Sequence, residues 1–352
     1  MSAELLEDLR TTTRQALSAG GGDVVDELDL AGLLIESDRG GLGLGDREMA
    51  LVSTELGRAL SPSSFLPTAV LAATLVTHAE TEAAAGILTA LAAGRMRCAV
   101  AVADVEAPWV SSQQPPVTAV STADGGWRLS GSIWGISTPQ MAPQPDTILT
   151  VGAIGTEAAL FAAAADDVEV APADELDPAR GLIRVALAQA PARLLAESRT
   201  AAGAIAETYR RGLLAVAAEQ LGLARACLEQ AVDYAKNRSQ FGALIGSFQA
   251  IKHRCAEVLL DVELADAVID QAVQTGASVD AELAFIVATR AALSAAESCI
   301  HIHGGIGFTW EHRAHRYLRR ARVNAALLGP ATVHRDAIAA SVGLGTAEGV
   351  SN

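Results

Sequence analysis

The sequence predicts an α+β protein of several domains, in the order helix, strand, helix. Three observations predict it. Residues 1–95 place apolar side chains at helical spacing between Gly and Pro breaks; residues 96–195 switch to short β-prone runs separated by turn residues; residues 196–352 return to long apolar stripes at three- and four-residue steps. These three ranges are the expected domains: an N-terminal helical domain, a β-strand domain and a C-terminal helical domain.

In the first range the helical patterns fall at Leu5 and Leu6, residues 28–34, 49–60, 69–76 and 83–91. The glycine cluster at 40–45 reads as a loop and not a phosphate cradle, because no strand precedes it and it carries no Lys. In the second range, residues 98–103, 117–120, 127–134, 147–154, 160–164 and 168–170 are expected strands of an antiparallel β domain. Asp124-Gly125-Gly126 is a hairpin turn, since glycine takes positive φ freely, and Pro115, Pro116, Pro139, Pro143 and Pro145 mark loops. In the third range, Leu213, Ala217, Leu221, Ala224, Leu228, Ala231 and Ala235 trace one face of a long helix. Ile251, Cys255, Val258, Val262 and Ile269 trace a second. Leu283, Ile286, Leu293 and Ile300 trace a third, and residues 331–340 a shorter one.

Composition excludes several classes. The 352 residues are half apolar and carry a net charge of −15, which argues against nucleic acid and against an anionic membrane surface. No apolar run long enough for a membrane span is apparent, and the acidic, amphipathic start is unlike a secretory signal. Cys98, Cys227, Cys255 and Cys299 are scattered without a CxxC pair, so neither a metal site nor a disulfide framework is expected. A cytoplasmic protein with buried thiols is the expectation.

Two segments carry the chemistry. Residues 234–249 run Tyr-Ala-Lys-Asn-Arg-Ser-Gln-Phe-Gly-Ala-Leu-Ile-Gly-Ser-Phe-Gln, and residues 301–311 run His-Ile-His-Gly-Gly-Ile-Gly-Phe-Thr-Trp-Glu. A guanidinium and bare backbone N–H groups both donate to phosphate oxygens, so an Arg near a glycine-rich helix end suits a diphosphate. An aromatic beside them suits a stacked adenine.

At these residues, and at Gly40-Gly41-Leu42-Gly43-Leu44 with Glu55-Leu56-Gly57-Arg58, the chain resembles the acyl-CoA dehydrogenase family over nearly its whole length. The resemblance implies a helical domain, a β domain and a C-terminal four-helix bundle. It implies FAD as cofactor and α,β-desaturation of an acyl-CoA thioester, of a sterol side chain or a fatty acid. It also implies that Arg238, Gln240, Phe241, Ile245, Phe248, Gln249, His301, Gly304 and Gly305 are the residues a subunit lends to the adenine and diphosphate of its neighbour's FAD.

Other family features are missing. The base that takes the α-proton is a Glu; its two places in the family correspond here to Leu328, before Gly329, and to Gly212, on the long helix before Leu221-Gly222. Leu213 stands where an Arg contacting the acyl-CoA is common. The Gly-Ser-Asp loop that holds the flavin diphosphate is replaced by residues 104–109, Asp-Val-Glu-Ala-Pro-Trp. The Trp-Ile-Thr segment against the flavin ring reads Gly135-Ile136-Ser137, and strand alternation points Trp134 to the other face. The losses are thus grouped: residues for a subunit's own flavin ring and substrate are gone, and residues lent to a neighbour are kept. The expectation is the non-catalytic subunit of an actinobacterial-type heteromeric (α2β2) acyl-CoA dehydrogenase, with no catalytic residue of its own. Its partner is a homologous catalytic subunit, which carries the acyl-CoA.

Plainer roles stand beside these. Arg238 could serve only the helix dipole, and the glycines at 304, 305 and 307 only a helix stop. His301 and His303 suit structural positions, His253 a solvated helix face, and Glu311 a structural carboxylate. Arg313, Arg316, Arg319, Arg320 and Arg322 suit a salt-bridged or subunit-facing helix edge. Two other functions stay open: an active homomeric dehydrogenase with a relocated base such as Glu219, and a flavin-free scaffold on the same fold.

Overall fold

The computed structural model describes residues 3–20, 22–103, 115–139, 144–173 and 176–344. Five helices come first: α1 (Ala3–Ala19), α2 (Val24–Glu27), α3 (Asp46–Ala59), α4 (Ala73–Thr77) and α5 (Glu82–Ala92). Asp23 caps α2 and Thr81 caps α5, each accepting a backbone N–H that the first helical turn leaves unpaired. A fully buried π-helical stretch, Phe65–Ala72, runs directly into α4. The glycine cluster is a loop, as expected, with Gly40 and Gly43 at positive φ.

The β domain holds β1 (Cys98–Ala103), β2 (Val117–Ser121), β3 (Trp127–Ile136), β4 (Thr147–Ile154), β5 (Glu157–Ala164), β6 (Glu169–Pro172) and β7 (Leu182–Glu197). The β2–β3 hairpin turns at Gly125, φ 81°, with the Thr122 N–H donating to Gly126 O at 2.9 Å. The pairings close on themselves through β1, β3, β7, β5 and β4, which leaves few bare edges. Two features depart from the sequence reading. The pairing is antiparallel except at β1 with β4, where Cys98–Ala101 run parallel to residues 147–150, and at the single β2–β4 contact. The 16-residue β7 carries no strand expectation at all. Its Ala-rich stretch, with Pro191 inside, has weak β-propensity, and its strand state comes from pairing with β3, β5 and β6.

The chain then forms α6 (Ser198–Asn237), the two-stranded hairpin β8 (Ser239–Gln240) and β9 (Ala243–Leu244), α7 (Gln249–Thr275), α8 (Ser278–His303), α9 (Ala314–Leu327) and α10 (Ala331–Ser341). The 40-residue α6 is the axis of the molecule, packing against α3, α7, α8 and α9. Where α3 crosses α6, Gly57 lies on the Glu219 carbonyl and Gly222 on the Thr54 carbonyl; a Cβ at either would collide with backbone. Small residues thereby bring the N-terminal domain onto the bundle.

α8 corrects one expectation. The helical stretch Ser278–Phe308 is long and apolar enough by composition to cross a membrane, yet 56% of its most apolar window is buried, against α6 and α7. Its alanines are bundle core, because alanine lets neighbouring helices approach closely. α9, the Arg-rich helix, adds a member to the bundle between the third helix and the tail helix.

Candidate functional site

α6 ends at Asn237, and the chain leaves it in extended conformation at Arg238. The Arg238 N–H donates to Tyr234 O at 2.9 Å and its carbonyl accepts from Ile245 N at 2.8 Å, which pins the start of the β8–β9 hairpin. The hairpin turns on Phe241 and Gly242, both at positive φ (55° and 78°), as a two-residue turn of right-handed strands needs. Phenylalanine rarely occupies that region. Here it holds the ring 93% exposed, with the Phe248 ring edge-on at 6.3 Å. Arg238, Gln240 and Gln249 are exposed, and the Arg238 guanidinium has no carboxylate partner among the described residues. Ile245 is buried and anchors the hairpin from beneath.

α8 ends beside it. Gly304 has φ 64° and ψ −140°, a conformation open essentially to glycine, and its N–H bonds back to His301 and Ile300 carbonyls. Gly304 and Gly305 are exposed, and nothing lies within 4 Å of where a side chain would begin, so other atoms can approach this backbone closely. His301 is exposed. His303 is buried: its Nδ1 donates to Cys299 O at 2.7 Å, since a carbonyl can only accept, and its ring packs 4.3 Å from both Tyr234 and His312. The Tyr234–His303 contact joins the last turns of α6 and α8, so both sequence motifs lie at one end of the bundle. Eight of the nine expected residues are exposed there, around the buried Ile245. Three more apolar residues, unforeseen, follow the glycines in exposed positions: Ile306, Phe308 (77%) and Trp310 (75%). Their signal was two aromatics in a segment read for its glycines, its histidines and Glu311.

This surface suits one side of an adenine diphosphate. It offers a guanidinium with no carboxylate partner among the described residues, two open backbone positions at a helix end and an exposed aromatic ring.

The positions expected to hold the base and face a flavin ring are closed. The two family positions for the base meet in space: a Cβ on Gly212 would lie 3.0 Å from Leu71 and 3.2 Å from Leu328 side-chain carbons. Leu71 and Leu328 are fully buried. Backbone contacts hold this plug, with Tyr209 OH donating to Leu328 O at 3.1 Å and His334 Nε2 to Gly329 O at 3.1 Å. The other His334 nitrogen is engaged by buried Glu282. Glu219 is equally committed: one oxygen takes Arg180 Nη1 at 2.6 Å and the other Arg320 Nη1 at 2.9 Å. Burial pushes its carboxyl pKa up, but the two arginine charges and their hydrogen bonds outweigh that and hold it below the ordinary carboxylate range. Arg320 also holds Asp177, so the network ties the β6–β7 connection to the bundle.

That connection covers the strand end expected to face a flavin ring. Ser137 is buried, its N–H donates to Gly181 O at 2.8 Å, and a side chain at Gly181 would strike the Ser137 carbonyl. Gly135 packs onto the Ala101 backbone, with no room there for a Trp. Residues 104–109 lie outside the described residues. Of the arginine series, Arg320 is buried and paired, Arg322 pairs with Glu297, and Arg313 donates to the Ala59 carbonyl. His253 and Glu311 are exposed.

The family model for the acyl-CoA dehydrogenase C-terminal domain matches residues 203–343. Acyl-CoA dehydrogenase IpdE2 of Mycobacterium tuberculosis is 32% identical over 303 residues, covering 86% of this chain and 80% of that protein. Acyl-CoA dehydrogenase FadE34 of the same organism is 35% identical over 309 residues, 86% of this chain; the match spans only 39% of FadE34. The solved ChsE4-ChsE5 complex from Mycobacterium tuberculosis contains a chain that is 25% identical and superposes with a TM-score of 0.83, over 99% of both chains.

Proposed function

The chain belongs to the acyl-CoA dehydrogenase family, and from that premise we propose that it is the non-catalytic subunit of a heteromeric enzyme, lending half of an FAD site to a homologous catalytic partner. The observation that carries this reading is the leucine plug. Both places for the catalytic Glu converge on one spot, and that spot is filled by Leu328 and Leu71 against Gly212.

Members of the family bind FAD. When bound, FAD accepts the hydride leaving the β-carbon of an acyl-CoA. This chain's part is to bind and orient. Arg238 would donate to the diphosphate, the open backbone at Gly304 and Gly305 would let it approach, and Phe241 would hold the adenine, with Gln240, Gln249 and His301 nearby. Phe248 braces the Phe241 ring and Ile245 holds the hairpin. Neither family position for the base, nor Glu219, offers an acceptor for the α-proton among the described residues. Leu328 cannot accept one, and Glu219 has both oxygens occupied by guanidinium groups in a buried site.

An exposed half-site needs another surface to complete it, and the likeness to a chain of the ChsE4-ChsE5 complex supports a partner of the same fold in an α2β2 assembly. The substrate class is an acyl-CoA thioester of a sterol side chain or fatty acid, bound in the main by the partner. Visible absorbance tests the proposal. The chain purified alone should carry no flavin, and the chain co-expressed with a homologous catalytic subunit should yield a yellow complex. Flavin retained by the isolated chain would support an active homomeric enzyme instead, and flavin in neither preparation would support a scaffold.

A further inference from the structure

Thr289 sits mid-way along α8, and its hydroxyl lacks the bond that several other helical threonines make. Thr13, Thr54, Thr77, Thr89 and Thr208 each donate to the carbonyl four residues back, at 2.7–2.9 Å. That back-bond is the ordinary way a helix satisfies a buried hydroxyl. Thr289 is 9% exposed, yet its Oγ1 has no hydrogen-bond partner among the described residues. The residue lines a cleft of about 590 Å³ between α7, α8 and the start of α10. All the residues lining this cleft are described.

The cleft has a distinct chemistry. Val258, Phe285, Ile286 and Leu293 make an apolar floor. Arg254 and Arg335 stand at its rim, exposed and without a carboxylate partner among the described residues; the nearest thing to one is a 3.5 Å contact from Arg254 to Ser298 Oγ. The rim's other charges are a third arginine, Arg290, already paired with Asp261, and two carboxylates: Glu297, paired with Arg322, and Glu257. Two free guanidinium groups over an apolar floor, in a chain of net charge −15, single out this place for a negative head group. The volume falls within the range of small-molecule sites, which are typically about 300–1,000 Å³, mostly apolar with a few placed polar groups.

We propose that this cleft binds an amphipathic anion. The alkyl body lies on the Phe285–Ile286–Leu293 floor, the Thr289 hydroxyl meets a polar atom of the ligand, and a carboxylate or phosphate head sits between Arg254 and Arg335. The site is separate from the flavin half-site and does not rest on the subunit assignment.

Titration calorimetry of the purified 352-residue chain, with its partner where the two co-purify, tests this with dodecanoate, dodecyl phosphate and dodecanol. The anions should saturate one site per chain, whichever head group binds tighter naming the source, and dodecanol should bind at least about tenfold more weakly. Ile286→Trp, which fills the floor, should abolish binding. Arg254→Ala with Arg335→Ala should weaken it about tenfold. Thr289→Val, which keeps the shape and removes the hydroxyl, should weaken it several-fold. Circular dichroism establishes folding, and because the arginines are exposed the double variant remains informative if the Trp variant does not fold. Absence of saturable binding, dodecanol binding as tightly as dodecanoate, or binding unmoved by both the Trp and the double-arginine variants would overturn the proposal.

Discussion

Leu328→Glu places a carboxyl group where the family keeps its base, and its effect follows from the packing. Leu328 is completely buried, against Gly212. Losing a fully buried leucine removes about 1.5–3 kcal/mol of transfer free energy. A neutral carboxyl buried there without a designed partner adds about 1–3 kcal/mol of penalty. The sum is a destabilisation of about 2.5–6 kcal/mol. With an unfolding entropy of about 2.1 cal/mol/K per residue over 352 residues, each kcal/mol lowers the melting midpoint by about 1.4 °C, so the variant should melt about 3–8 °C lower.

The penalty should also depend on pH. Burial raises the new carboxyl's pKa in the folded state. The folded state then keeps a proton that the unfolded state releases, so stability falls as pH rises. Above an unfolded pKa of about 4.3, each pH unit adds about 1.4 kcal/mol until the folded pKa is reached. The deficit relative to the parent should therefore be larger at pH 7 than at pH 5. Thermal unfolding followed by near-ultraviolet circular dichroism at both values measures it, and an acyl-CoA dehydrogenation assay on the isolated variant should stay blank. A variant that melts with the parent, or that gains dehydrogenation, would refute the leucine-plug reasoning, because the carboxyl would have found a polar, flavin-bearing pocket.

Three further outcomes are expected. Arg238→Ala should weaken FAD retention by the partner complex by about 1.5–3 kcal/mol, roughly 10- to 150-fold in affinity; flavin content unchanged on dialysis would count against Arg238 as the diphosphate contact. Glu219→Gln should leave turnover of the complex within about twofold, where loss of a true general base costs about 10²–10⁴, yet it should destabilise the chain by about 3–5 kcal/mol because Arg180 and Arg320 lose their shared counter-charge. Since the Glu219 carboxyl is held below its ordinary pKa, its contribution is present above the unfolded pKa and lost as pH falls through the folded one. Denaturant melts of parent and variant should accordingly converge in acid and separate at neutral pH. Sedimentation of the chain with its homologous partner should give an α2β2 particle, and a stable monomer in that mixture would rule the assembly out.

Features set by near neighbours in the chain were legible in the sequence. Three- and four-residue apolar steps marked α6, α7 and α8, because a helix places those positions on one face. Asp124-Gly125-Gly126 marked the β2–β3 hairpin, because its geometry needs positive φ within a few residues. The Arg-Ser-Gln-Phe-Gly and His-Gly-Gly segments were legible through the family resemblance, and each folds locally, one as a hairpin with positive φ at Phe241 and one as a helix end with positive φ at Gly304. Partners far apart in sequence were not legible. β7 has no strand pattern of its own and becomes one through β3, β5 and β6. Nothing local shows that Leu328 closes on Gly212, or that Arg180 and Asp177 from the β domain reach Glu219 and Arg320 in the bundle. Thr289 reads as an ordinary helical threonine until its buried hydroxyl is found without a hydrogen-bond partner among the described residues. The sequence by itself determined which groups were kept and which were lost. Only the tertiary structure decided where they meet, because burial and charge pairing depend on which distant segments pack together.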